Sequence, residues 1–224
     1  GVGVALVDSL EQHAAAHAAA HLVYTKKPLS REQLNPAQMF TIGLFEDARV
    51  EFLAVQEFPG MKQMWAQFHA KVREVSCPTD PVVGFLERLA YALLDESSHD
   101  DVQGRTSAAG AGSAGAADDG LIQEMAAGFR AELATRAHDN QVSWDFGVTL
   151  CNRLGERGAI PSLRVLESMA IPYRDDNRYC WASDEIAWHE AEYVPAPKQV
   201  RKHVSVMDMV NELDNELAGD DAQE

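Results

Sequence analysis

Residues 35–60 read NPAQMFTIGLFEDARVEFLAVQEFPG, and this stretch decides the fold. Asn35 is a good N-cap, and Pro36 suits the first helical position. The pattern predicts a helix from there to the break at Pro59-Gly60. Apolar residues fall on nearly every side of it, among them Met39, Phe40, Ile42, Leu44, Phe45, Val50, Phe52, Leu53 and Val55. A helix that is apolar all round is a buried one, so other helices must pack about it. Glu46, Asp47, Arg49 and Glu51 lie in its middle. Any of them that the fold buries needs a partner, because an unpaired buried charge is costly. Arg49 is expected to pair with Glu46, three residues before it, or with an acid on another helix.

The flanking segments supply those neighbours. Residues 4–24 hold His13-Ala-Ala-Ala-His17-Ala-Ala-Ala-His21, with neither Gly nor Pro from 4 to 27. Alanine is the best helix former, and its small side chain lets a neighbouring helix approach closely. Pro59-Gly60 opens a third helix, in which Met61, Met64, Trp65 and Phe68 recur at helical spacing and read as core. A fourth runs over 82–94, with Phe85, Leu86, Leu89, Ala90 and Leu93 on one face. Two more are expected over 121–137 and 143–154, with Ser143 as cap and Gly155 as stop for the second. Residues 160–194 carry Pro161, Pro172 and short β-compatible runs, which suit one or two short strands. A last helix is expected over 205–217, with Val206, Met209, Val210, Leu213 and Leu217 along one stripe.

The fold class is therefore mainly α: a multi-helix bundle with a small irregular or short-strand segment near 160–194. Residues 104–120 contain five Gly and six Ala and few bulky side chains. They are expected to form a flexible loop, since they bury too little to offset their ordering entropy. That loop separates a helical subdomain over 1–103 from a second over 121–200. A helix and acidic linker follow over 201–224.

Composition excludes several function classes. The 224 residues carry 19 Lys+Arg against 35 Asp+Glu, a formal net charge of −16. Phosphate binding needs clustered Lys and Arg, so nucleic acid is not an expected partner. Docking on anionic membrane is disfavoured for the same reason, and no apolar run is long enough to span a bilayer. Cys77, Cys151 and Cys180 are far apart and form no C-x-x-C, which fits a reduced cytoplasmic protein without a thiolate zinc site. Residues 175–224 hold 13 acids and 4 bases. With a start at Gly1 that is already helix-like, this suggests a fragment ending in a linker. The P-loop, G-x-G-x-x-G, G-x-S-x-G and H-E-x-x-H patterns are all missing, so the chain is not expected to be an enzyme on its own.

Two constellations remain. His13 and His17 share a helix face at i, i+4, and His21 lies one turn further on. One reading is a structural charge network of His13, His17, Glu46, Arg49 and Glu51 between two buried helices. Solvent-facing histidines are a second. The third is a metal site built on His13, His17 and Glu46, or another carboxylate of the second helix, which would need further ligands. The network is favoured and no metal is expected, because a close alanine face leaves little room for a hydrated ion. The other constellation is Tyr173-Arg174-Asp175-Asp176-Asn177-Arg178-Tyr179-Cys180-Trp181. Asp-Asp-Asn favours a turn. The surrounding Tyr173, Arg174, Asp175, Asp176, Arg178, Tyr179 and Trp181 either pack back on that turn or form a partner surface.

Several stretches together resemble one family. They are His13-Ala-Ala-Ala-His17, Glu46-Asp47-Ala48-Arg49-Val50-Glu51, Glu57-Phe58-Pro59-Gly60, Trp65-Ala66-Gln67-Phe68-His69, the 86–95 run LERLAYALLD and the 173–181 run YRDDNRYCW. In this order they look like the N-terminal helical region of the NorD/CbbO family, with weaker similarity to the helical part of the cobalt chelatase subunit CobT. The Gly/Ala-rich 104–120 stretch departs from that pattern. The resemblance implies an adaptor that works with a MoxR-type AAA+ ATPase. It also implies a C-terminal von Willebrand factor A domain, the only place where a Mg ion is expected, and this chain stops before it. The implied target is Rubisco, slightly favoured, or nitric oxide reductase. A metal-dependent hydrolase or metal-binding domain using His13, His17 and a carboxylate is the alternative.

Overall fold

The computed structural model describes residues 2–75, 80–94 and 113–168, together with Arg174, Asn177 and 180–182. Among these residues there are seven helices and no sheet. They are α1 (Val2–Tyr24), α2 (Pro36–Glu57), α3 (Gly60–Val75), α4 (Pro81–Leu94), α5 (Ser113–Arg136), α6 (Gln141–Glu156) and α7 (Leu163–Ser168). None is long and apolar enough to cross a membrane.

Helix α2 is the axle of the bundle and packs against α1, α3, α4, α6 and α7. Its start is built by the expected residues. Asn35 accepts from the Gln38 backbone, and the Gln38 side chain accepts from the Asn35 backbone, which closes a capping box ahead of Pro36. Ile42, Phe45 and Val50 are wholly buried along it. Each such side chain contributes roughly 1.5–3 kcal/mol of burial. Phe45 also meets Phe129 of α5 and Phe146 of α6, with ring centroids 4.9 and 5.6 Å away. Helices before and after the Gly/Ala-rich stretch thus share one core, which includes Leu86 and Leu89 of α4, Phe129 of α5 and Leu150 of α6.

The α2–α6 crossing is very close. Thr41 donates to the Gly147 carbonyl at 2.8 Å, and a Cβ placed on Gly147 would overlap the Ile42 backbone. On the other side, Ala20 of α1 joins Val50, Ala54, Trp65 and Phe68 in a second cluster. The alanine-rich face of α1 therefore packs onto α2 and α3, as its composition predicts.

Several local expectations are corrected. Helix α5 begins at Ser113, so the last eight residues of the expected 104–120 loop are helical. Alanine's high helix propensity favours this, and Asp118 and Asp119 find cations in Arg157 at 3.1 Å and Arg88 at 3.8 Å. Helix α6 starts before Ser143, which is buried inside it and bonds Glu46 instead of capping. It also continues through Gly155. The stop is Gly158, at φ +66, where a left-handed residue costs glycine little. There the Ala159 N–H donates to Leu154 O at 2.8 Å and the Gly158 N–H to Gly155 O at 3.0 Å, which makes a Schellman motif. Of residues 160–194, where an irregular or short-strand segment is expected, the described ones hold the six-residue α7 and one parallel bridge from Trp181 to Leu29, and the rest lie outside the described residues. The helix expected over 205–217, and the acidic linker with it, lie outside the described residues.

Candidate functional site

The four charged residues in the middle of α2 are all buried, and each has partners. Glu46 receives four hydrogen bonds. Arg49 gives two, at 2.8 and 2.6 Å, Thr25 one at 2.7 Å and Ser143 one at 2.8 Å. That fills the roughly four acceptor sites of a carboxylate. Arg49 also donates to the Ala137 and Tyr24 carbonyls at 2.7 and 3.0 Å. The i−3 pairing of Arg49 with Glu46 is thus present, within a cluster that ties α1, α2 and α6 together.

On the adjacent side of α2, Asp47 and Glu51 face α1. The three histidines of α1 are buried, which sets aside a solvent-facing ladder, but they do different things. His13 Nε2 bonds the Met64 carbonyl at 3.1 Å, and its ring lies 4.3 Å from that of Phe68. His17 Nδ1 faces Glu51 Oε1 at 3.2 Å, and its Nε2 faces Asp47 Oδ1 at 3.5 Å. His21 Nε2 lies 3.2 Å from both Asp47 Oδ1 and His17 Nε2, while its Nδ1 meets Thr25 Oγ1 at 3.2 Å.

Arg174 completes the network from far along the chain. It donates twice to Glu51, at 3.0 and 2.8 Å, and its Nη1 is 3.6 Å from Asp47 Oδ2. Close by, Asn177 accepts from the Cys180 thiol at 3.2 Å and sits against Gly43. The Leu29 N–H donates to Cys180 O at 2.7 Å, and the Ala182 N–H donates to Leu29 O at 2.8 Å. Within the possible partner surface, the Arg174 side chain is held inside by Asp47 and Glu51, and Trp181 is buried in an apolar cluster with Leu29, Ile42 and Cys180. Tyr173, Asp175, Asp176, Arg178 and Tyr179 lie outside the described residues.

The electrostatics follow from burial and pairing. Burial pulls the His17 imidazole down, but hydrogen bonds and charge from Asp47 and Glu51 outweigh it and raise its pKa to about 9. Burial pushes the Asp47 carboxyl up, yet Arg174, His17 and His21 hold it well below the usual carboxylate range. Glu51 is opposed by burial in the same way and held down to about 2 by Arg174 and His17. These are the shifts expected of groups that stay charged because opposite charges face them.

Two trios present donor atoms close enough to share a metal ion: His17, His21 and Asp47, and His21, Glu46 and Cys180. The alternative trio read from the sequence, His13, His17 and Glu46, does not converge. His13 turns to α3, and Glu46 is saturated by its four donors. Asp47 and His21 were visible in the sequence, but the choice between Asp47 and Glu46 depends on which side of α2 meets α1. Thr25, Ser143 and the pairing of Arg174 had no local signal. The chain matches no protein-family model, no curated protein and no solved structure.

Proposed function

We propose that this chain is the helical platform of an adaptor, which docks on a MoxR-type AAA+ ATPase ring and couples it to activation of a target enzyme. Rubisco is the favoured target and nitric oxide reductase the second. The observation that supports this reading is the contact between the two runs that carry the sequence resemblance. Arg174 of the 173–181 run is locked onto Glu51 of the EDARVE run, 123 residues away. Two runs of that pattern that close on one another in a buried ion cluster suit a rigid mechanical frame. Glu46, Arg49 and Glu51 have no exposed surface, so their part in this reading is to hold helices in place while the docking partner acts from outside. Such a partner places the chain in the cytoplasm.

The test is reconstitution. The purified chain is mixed with a MoxR-type ATPase, and both ATP turnover and co-elution are followed. The chain alone should hydrolyse no ATP, and it should change the ring's turnover and elute with it. Unchanged turnover together with separate elution would reject the adaptor reading. In the same preparation, metal-dependent hydrolysis of ester or phosphodiester substrates would instead support the hydrolase alternative.

A further inference from the structure

The histidine pair on α1 converges with Asp47 on one spot inside the buried cluster. Thr25 gives its single hydroxyl proton to Glu46 Oε1 at 2.7 Å. Its oxygen must therefore accept from His21 Nδ1, 3.2 Å away, which puts the His21 proton on Nδ1. His17 Nδ1 faces a Glu51 carboxylate already held by the Arg174 fork, and that carboxylate can only accept. Both Nε2 atoms are left pointing at one spot, beside Asp47 Oδ1. The three atoms form a triangle with sides of 3.2, 3.2 and 3.5 Å.

A proton on any one of these atoms leaves the other two as acceptors facing each other. Protons on both imidazoles set one N–H against the other across 3.2 Å. A metal ion satisfies all three at once. A tetrahedral ion with bonds of about 2.0–2.1 Å keeps its ligands about 3.3–3.4 Å apart, which matches the triangle. The outer nitrogens are also arranged as metal-bound histidines require, one on a carboxylate and one on a hydroxyl oxygen, which fixes tautomer and ring direction. Glu46, Asp47 and Glu51 face Arg49 and Arg174 as permanent cations, and a proton on the histidine pair or a bound ion can supply a further positive charge beside Asp47.

The geometry points to a buried divalent transition-metal site of the zinc type, in which His17 Nε2, His21 Nε2 and Asp47 Oδ1 are ligands and the ion pins α1 to α2. Two imidazoles and a carboxylate suit zinc, cobalt or ferrous iron. The second trio is the poorer site. Cys180 Sγ approaches His21 on Nδ1, at 3.8 Å, and that nitrogen is committed to Thr25. Its Glu46 is fully bonded. Three protein ligands leave the fourth tetrahedral position to a water, and with His17, His21 and Asp47 all buried the part of the ion is to hold helices. The inference is independent of the ATPase partner.

The test uses the full chain, stripped with a chelator and titrated with zinc chloride by calorimetry. One equivalent should bind with micromolar or tighter affinity. His21→Asn and Asp47→Asn should each remove detectable binding. Thr25→Val keeps every ligand but removes the acceptor at His21 Nδ1, and should weaken binding about 10–100-fold. His138→Gln, at an exposed position, should leave binding unchanged. Failure to take up zinc, retention of the equivalent in both ligand variants, or its loss in His138→Gln would overturn the site. If a ligand variant does not fold, as judged by circular dichroism, cobalt-loaded wild-type chain decides. Visible d–d bands and paramagnetically shifted signals from two imidazoles are expected, and lack of either overturns the proposal.

Discussion

Arg174 holds Glu51 with two side-by-side hydrogen bonds, Nε to Oε1 at 3.0 Å and Nη2 to Oε2 at 2.8 Å, across 123 residues of chain. Both side chains are at most 4% exposed. Removing one partner of such a pair strands the other in low dielectric. Arg174→Met should therefore lower the urea unfolding free energy by about 3–5 kcal/mol. Arg174→Lys should recover only part of it, because an ammonium cannot reproduce the planar fork. Equal stability of Arg174→Lys and wild type would mean that charge alone matters at this position.

The Glu46 cluster allows a sharper experiment. Ser143 lies within α6 and donates to Glu46 at 2.8 Å. A hydrogen bond to a charged group is worth about 1.5–3 kcal/mol, so Ser143→Ala should cost that much. The cost should shrink in an Arg49→Met background, where the Glu46 carboxylate has lost its cation and the cluster has rearranged. Arg49→Met alone should cost about 3–5 kcal/mol. The double-mutant cycle is read by chemical denaturation. Strict additivity would show that Ser143 contributes independently of the Glu46–Arg49 pair.

Two glycines in helices should respond in opposite directions. Gly147 lies where α6 crosses α2, and an added methyl meets the Ile42 backbone, which cannot rotate away. Gly147→Ala should destabilise by about 1–3 kcal/mol or more, as overpacking does. Gly120 in α5 has open space around its Cβ position. Gly120→Ala should stabilise by roughly 0.5–1 kcal/mol through helix propensity alone. A thermal melt of the two variants beside wild type checks both signs. A neutral Gly147→Ala would show that the crossing opens freely.

The parts of this fold legible in the sequence are those determined locally. Asn35, Pro36 and Gln38 fix the start of α2 within four residues, and Arg49 finds Glu46 one turn back. The all-round apolar pattern of α2 correctly makes it the axle. What escaped depends on distant chain. Nothing near Gly147 says that Ile42 will lie against it. A serine near a helix start looks the same whether it caps the helix or bonds a carboxylate on another one. The Gly/Ala-rich stretch presents a balance of propensities, and Arg88 and Arg157 favour helix over its acidic end from other elements. At the site, the sequence showed the histidine ladder and the α2 carboxylates. It did not show the rotation of α2, which turns Asp47 and Glu51 to α1 and Glu46 to Arg49, Thr25 and Ser143.

Stability should also depend on pH in a way that identifies His17. In the metal-free protein the groups facing it are Asp47 and Glu51 of α2, His21 of its own helix, Arg174 beyond them and the Trp65 ring of α3, 6.3 Å away. Its folded pKa is raised to about 9 from an ordinary 6.5. Between those values the folded chain holds a proton that the unfolded chain has lost. Stability from this pairing is therefore full below about pH 6.5 and fades as pH rises through about 9, with a limiting slope near 1.4 kcal/mol per pH unit. Asp47 and Glu51 act in the opposite direction, since their folded pKa values are depressed. Their contribution is present above the normal carboxylate range and is lost as pH falls through the folded values. Denaturant unfolding of chelator-treated protein should accordingly show greatest stability near pH 5–6.5, with a decline on either side. His17→Gln should flatten the alkaline limb and leave an acid limb from Asp47 and Glu51, still paired with Arg174. An alkaline limb that persists unchanged in His17→Gln would assign that proton to another group and remove His17 from the centre of the network.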